Sequence, residues 1–167
     1  MTTNFYKIQK DTEKGFTLIE LLIVIGILAI LMGIVLIAIN PARQFSQANN
    51  TKRQNDVTTI LNSIGQYMSD HHGTLPAGIV ADGTAHLIGT GGTESDFCSS
   101  IVPTYVAALP TDPTTGVGDG GAQGGQVTNC SSYQTNYEVS VSSASAGSRV
   151  TITAPAAELG QTISVTR

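Results

Sequence analysis

Few side chains in this 167-residue sequence combine the type and spacing that chemistry needs. Glu20 is a lone carboxylate, and the nineteen residues that follow it, Leu21 to Ile39, carry no charge. An ionised group at the edge of such a run is expensive in an apolar medium and calls for a positive partner. Cys98 and Cys130 are the only two cysteines. An even count in a translocated domain fits one disulfide, worth about 3 to 4 kcal/mol in the chain-entropy model for a loop of this length. Two buried free thiols are the alternative. His71 and His72 are adjacent, and neighbours on a helix diverge by about 100°, so they make a poor metal chelate. Asp112 and Asp119 lie before and within a glycine-rich loop, Gly116 to Gln126. That loop has no Lys and no Ser or Thr in phosphate-loop spacing, which excludes a nucleotide cradle of that kind. No nucleophile elbow and no metal-ligand spacing is present. We expect no catalytic residues, no metal site and no cofactor, and read the chain as not an enzyme.

The elements that must carry these residues follow from composition and periodicity. Aromatic content is 5% and Trp is absent, so the core is built from small aliphatic side chains. A net charge of -4 argues against nucleic acid as a specific partner. The apolar run is long enough for a helix rising about 28 Å, roughly the hydrocarbon thickness of a bilayer. Lys7, Lys10 and Lys14 precede it, against Asp11 and Glu13, which places the N-terminus in the cytoplasm. No small-residue cleavage pattern follows the run. The small residue is Gly15, at the polar-to-apolar border, which points to cleavage before the apolar segment and its retention in the mature chain. Gly26 and Gly33, seven apart, share a helix face that permits close approach of another helix, without forming a GxxxG pair.

Lys14-Gly15-Phe16-Thr17-Leu18-Ile19-Glu20, followed by a membrane-length apolar run, resembles the class III signal of prepilins, the precursors of type IV pilins and type II secretion pseudopilins. The resemblance implies that a membrane prepilin peptidase cuts between Gly15 and Phe16 and that the new amine of Phe16 is N-methylated. Glycine suits such a cut because it presents the backbone with no side chain to clash. The family also implies that Glu20 pairs with the Phe16 ammonium of a neighbouring subunit and so sets the register of a homo-oligomeric filament. An assembly platform and a cytosolic ATPase would drive assembly, with membrane lipid surrounding the helix beforehand. Major pseudopilins use an aspartate-rich loop for calcium. Asp112 and Asp119 raise that site here, but the late acidic stretch is absent and a flexible exposed loop is the favoured reading.

The resulting expectation is an α+β, type IV pilin-like fold. Residues 1–15 form a cleaved leader and 16–39 a transmembrane, filament-core helix. Residues 40–73 form an amphipathic helix, and 74–167 a globular head. Asn40-Pro41 predicts a kink or a locally unwound segment near Asn40 to Arg43. Val57, Ile60, Leu61, Ile64, Tyr67 and Met68 recur at helical spacing, and Gly73 suits a C-terminal cap beyond Asp70-His71-His72. Asp96 to Leu109 suits a short helical piece ending before Pro103, and Ala85 to Ile88 a short strand or turn. Thr74-Leu75-Pro76 resembles the family's post-helix turn. Leu109-Pro110-Thr111-Asp112-Pro113 resembles a pseudopilin motif that precedes the first strand. Tyr137/Val139/Val141, Val150/Ile152 and Ile163/Val165 alternate with polar residues, which predicts an antiparallel meander of about three strands. Ala144 to Ser148 and Pro155 to Gly160 would join them. Its apolar face would cover the Val57 to Met68 stripe. The function implied is a structural subunit of a type IV pilus or pilus-like filament, with a cytoplasmic N-terminus before assembly and an extracytoplasmic or cell-surface location after it. The alternatives are a major-type pseudopilin, a minor pilin and a membrane-anchored adhesin.

Overall fold

The computed structural model describes residues 15–142 and 148–167. The expected leader as far as Lys14, with its charges, and nearly all of the Ala144–Ser148 link lie outside the described residues. The chain divides into two compact units between Pro41 and Ala42.

The first unit contains helix α1, Leu18–Ala38. Its 21 residues are apolar all round apart from Glu20, and none of them is buried. A helix with no polar face requires an apolar surround. It closes at Ile39, whose N–H donates to the Val35 carbonyl at 3.0 Å.

Helix α2, Pro41–Asp70, follows after the non-helical Asn40. The interruption is shorter than expected, because Arg43 is already helical. Proline at the first position of a helix loses only an N–H that has no intrahelical acceptor anyway, so Pro41 starts α2 rather than disrupting it. The helix buries Asn50, Arg53, Val57, Ile60, Leu61, Ser63 and Ile64. At its end the Gly73 N–H donates to the Met68 carbonyl at 2.7 Å. His72 as well as Gly73 has positive φ, 54° and 84°. The histidine therefore takes the left-handed position next to the helix, and Gly73 completes the turn one residue later.

The sheet has four strands rather than three, in the order β1-β2-β3-β4 and antiparallel throughout. Strand β1, Ala85–Gly89, pairs with β2, Gln134–Val141, through Ala85–Ser140, His86–Val139 and Leu87–Glu138, and a bulge precedes Gly89. Its five residues, two of them interrupting the apolar pattern, are too short for alternation to separate strand from turn. Strand β3 is Val150–Ala154 and β4 is Ile163–Thr166. Along β2 every second residue from Thr135 to Val141 is buried, and β3 buries Val150, Ile152 and Ala154. These side chains form one core with Val57, Ile60, Leu61 and Ile64 of α2, and with Phe97, Ile101, Leu109 and Val127 of the connections. The short helix α3, Cys98–Ile101, ends at Val102, just before Pro103.

Because β1 comes before Leu109, the Leu109–Pro113 segment does not lead into the first strand. Leu109 instead forms an isolated bridge with Val127. The glycine-rich loop is also more tightly held than a flexible exposed loop. Gly116 and Gly118 are buried, and Val117 bridges to both Gln123 and Gln134. A Cβ on Gly116 would lie 2.5 Å from the Asp112 nitrogen and 2.7 Å from the Thr135 carbonyl oxygen, so only glycine fits there.

Candidate assembly segment and the charge joint of the head

Thr17 caps α1. Its Oγ1 accepts from the Glu20 N–H at 3.3 Å, and its own N–H and hydroxyl both donate to Glu20 Oε2 at 2.8 Å. This is a reciprocal capping box, which places the one carboxylate of the helix at the positive end of the helix dipole. The T-x-x-E spacing before an apolar run is the sequence signature of such a cap. Phe16 is 88% exposed and, with Glu20, Leu21, Ile23 and Val24, borders one shallow apolar concavity. Phe16 and Glu20 thus lie together at the start of the helix. Gly15 is exposed, and nothing lies within 4 Å of where a Cβ on it would be. The same is true of Gly26 and Gly33.

Within the Ala42–Arg167 unit Arg53 is fully buried. Its Nε donates to Asp112 Oδ2 at 2.6 Å and its Nη2 to Asp112 Oδ1 at 3.3 Å and Thr114 Oγ1 at 2.8 Å. Nη1 donates to Asn50 Oδ1 at 3.0 Å and to Glu158 Oε2 at 3.3 Å. All five guanidinium N–H donors therefore have acceptors. Asp112 is buried too, and Oδ1 also accepts from the N–H and hydroxyl groups of Thr114 and Thr115. Burial alone would raise its pKa, but Arg53 and the Thr114 and Thr115 donors outweigh that and hold the carboxyl at about 2. Arg53 shows the same opposition: burial works against its charge, and Asp112 and Glu158 together raise its pKa. Neighbouring α2 residues tie down the same region. Lys52 donates to the Thr111 carbonyl at 2.9 Å, and the Tyr137 hydroxyl of β2 donates to Asp56 at 2.8 Å. Locally Arg53 looks like part of a solvated basic pair, Lys52-Arg53. The signal that separates it is periodic, since positions 50, 53, 57, 60 and 64 continue one buried stripe.

Cys98 and Cys130 are joined in a disulfide with Cα atoms 5.5 Å apart. Asp112 and Asp119 belong to separate networks. Asp119 Oδ2 accepts from the Thr128 N–H and hydroxyl at 2.6 Å and from the Asn129 N–H at 3.0 Å. A cation at Asp112 would have to displace its bidentate arginine. Among the described residues, no group of three His, Cys, Asp or Glu side chains is placed to hold a metal ion. His71 stacks on Tyr67 with ring centroids 3.9 Å apart, and its Nδ1 lies 2.9 Å from the Tyr67 carbonyl oxygen. It is thereby engaged along its own helix, and the structure does not join it with His72 in a ligand pair.

A family model described as the prokaryotic N-terminal methylation motif matches residues 10–36. No curated protein and no solved structure matches the chain. The matched residues span the Gly15-Phe16 border, the Thr17–Glu20 cap and most of α1. A membrane-length apolar helix opened by that motif, and followed by a second helix packed with an antiparallel sheet, makes this chain similar to the prepilins of type IV pilins and secretion pseudopilins.

Proposed function

We propose that the chain is a structural, non-enzymatic filament subunit, inserted in the membrane by α1 and assembled through it after its leader is removed. Residues 1–15 are the leader and 16–39 the membrane and filament-core segment. Residues 40–73 are the amphipathic helix and 74–167 the head that gives the filament its surface. A prepilin peptidase cuts between Gly15 and Phe16, and Phe16 is then N-methylated. An assembly platform and a cytosolic ATPase supply the work, because the chain offers no phosphate loop of its own. The N-terminus lies in the cytoplasm before assembly, and the head faces outward.

The observation that carries this reading is α1 itself, 21 residues long, exposed over its whole length and opened by the Thr17–Glu20 cap under the methylation motif. Such a helix is stable in lipid or against copies of itself. Inside one subunit Glu20 is already bonded to Thr17, which lowers the cost of holding a carboxylate at the apolar border. On assembly the Phe16 ammonium of a neighbouring copy replaces part of that bonding with an ion pair in an apolar surround. Register follows, because only one axial offset brings the two charges together. Glu20→Val should therefore insert in membranes and yet be missing from the filaments sheared off cells. Filaments formed normally by the variant, with no wild-type copy present, would contradict the register role.

The Leu109-Pro110-Thr111-Asp112-Pro113 sequence leans toward the secretion-pseudopilin form of this reading, while its place after β1 and the missing late acidic stretch lean against it. In that form, loss of the chain abolishes export of secreted proteins and leaves surface pili intact. A chain found only as a membrane monomer would instead fit a surface adhesin.

A further inference from the structure

Strand β1 is an edge of the sheet, and an uncovered edge offers its N–H and C=O groups to other chains. Ser95 covers part of it in a parallel bridge with Ile88. The Ser95 N–H donates to the Leu87 carbonyl at 2.8 Å, and the Ser95 carbonyl accepts from the Gly89 N–H at 3.3 Å. Beyond Ser95 the covering segment is anchored by the disulfide at Cys98. Before it, Thr93 is exposed, and its carbonyl oxygen lies 3.1 Å from His86 Nδ1.

Both ring nitrogens of His86 face acceptors. Nε2 lies 3.0 Å from each carboxylate oxygen of Asp82. Thr84 Oγ1 is 2.9 Å from Nε2 but gives its own proton to Asp82 Oδ1, at 2.7 Å. Neutral imidazole has one N–H and one lone pair, so it can satisfy one of the two sides; the imidazolium satisfies both. The His86 side chain is 17% exposed, within reach of solvent protons. Thr84 first, and then His86, hold the Asp82 carboxyl at about 2, so Asp82 stays ionised wherever His86 titrates. Asp82 first, and then the Thr93 carbonyl, raise His86 above its ordinary 6.5. Two other carboxylates belong to adjoining elements. Glu94 accepts from Gln134 at 2.7 Å, and Glu138 of β2 lies opposite Leu87. Among the described residues neither is bonded to the ring, and residues 143–147, which follow β2, include no titratable side chain.

We propose that His86 is a proton-operated latch on the sheet edge: as the imidazolium it ties the Asp82 turn to the Thr93–Ser95 segment, and on losing its proton it keeps Asp82 and releases Thr93. The remaining proton stays on Nε2 because an ionised acceptor bonds more strongly than a carbonyl. Nδ1 then turns a lone pair toward the Thr93 oxygen, and the two repel. Because the folded pKa is raised, the latch is closed below the ordinary 6.5 and opens as pH rises through the folded value. Thr90, Gly91 and Glu94 of the same stretch line a polar cleft together with Gly120 and Gly121. Release therefore loosens one side of that cleft and bares the Leu87 carbonyl and the Gly89 N–H.

The full chain, labelled with nitrogen-15 in detergent micelles, is titrated from about pH 5.5 to about pH 8.5, the range in which histidine changes charge. Long-range nitrogen–proton spectra read the ring, and hydrogen exchange reads the Ser95 N–H. The expected midpoint for His86 lies above 6.5, and the neutral ring keeps its proton on Nε2. Protection of the Ser95 N–H, corrected for the intrinsic effect of pH, falls about tenfold across the same midpoint, while Ile152 of β3 keeps its protection. In D82N the ring and Ser95 midpoints fall together. In H86Q, Ser95 has the low protection at every pH. Ser95 protection that ignores the charge of His86 overturns the latch, as does a neutral ring protonated on Nδ1. If H86Q does not fold, D82N decides: a Ser95 midpoint that stays in place overturns the proposal.

Discussion

Glu20 and Asp112 are both carboxylates set among apolar side chains, and they are satisfied in opposite ways. Asp112 is enclosed, with a bidentate arginine and two threonines bonded to it, and every donor of that arginine is used. Its partners come from α2, from its own turn and, through Arg53, from the Glu158 loop. Among the described residues Glu20 has one partner residue, three positions away, on a helix that buries nothing. The head closes its electrostatics within one chain. The helix leaves them open to what surrounds it. In the filament reading proposed above, the head is complete within its own chain and the helix only in lipid or among copies.

That contrast can be broken from the head side most forcefully at Arg53. Removing one partner of a buried ion pair strands the other, so Arg53→Ala should cost the head about 3 to 5 kcal/mol. Chemical unfolding followed by circular dichroism would show it as a lower midpoint, whereas Glu20→Val should leave that midpoint unchanged. Equal effects of the two would erase the distinction between the regions. Next in size is the disulfide. Replacing Cys98 and Cys130 together by Ser opens a loop of sequence separation 32 and should cost about 3 to 4 kcal/mol in the same assay. An unchanged midpoint would mean that the loop is held by its packing alone.

Acid gives the third and smallest test. The Asp112 carboxyl has a folded pKa of about 2, below its ordinary 3.8. The unfolded chain therefore takes up the proton first as pH falls, and the stabilisation, complete above about pH 4, is lost as pH drops toward 2. The loss from this one group amounts to about 2 kcal/mol. Urea midpoints measured between pH 5 and pH 2 should fall in the wild type and fall less in Asp112→Asn. Parallel slopes would remove Asp112 from the account.

How far these features were legible in the sequence depends on their range. The α1 segment was readable because its signal is local: a fixed spacing of Gly15, Phe16 and Glu20, then an unbroken apolar run. Strands β2, β3 and β4 were readable because each alternates cleanly. Strand β1 was not separable from a turn, because five residues with a bulge give too few alternations. Arg53 was harder to read because its acidic partners lie 59 and 105 residues away, and only its place on the stripe of positions 50, 53, 57, 60 and 64 tells it from a solvated guanidinium. The glycine-rich loop looked flexible for the same reason. The contacts that hold it, Thr135 and Gln134 of β2, are distant in sequence.

Everything proposed for α1 depends on its becoming the N-terminus of the working protein. The most direct test is mass spectrometry of the native chain recovered from membranes and from sheared filaments. The account predicts chains that begin at Phe16 with a methyl group on the amine. Native chains that all begin at Met1, in both fractions, would contradict it.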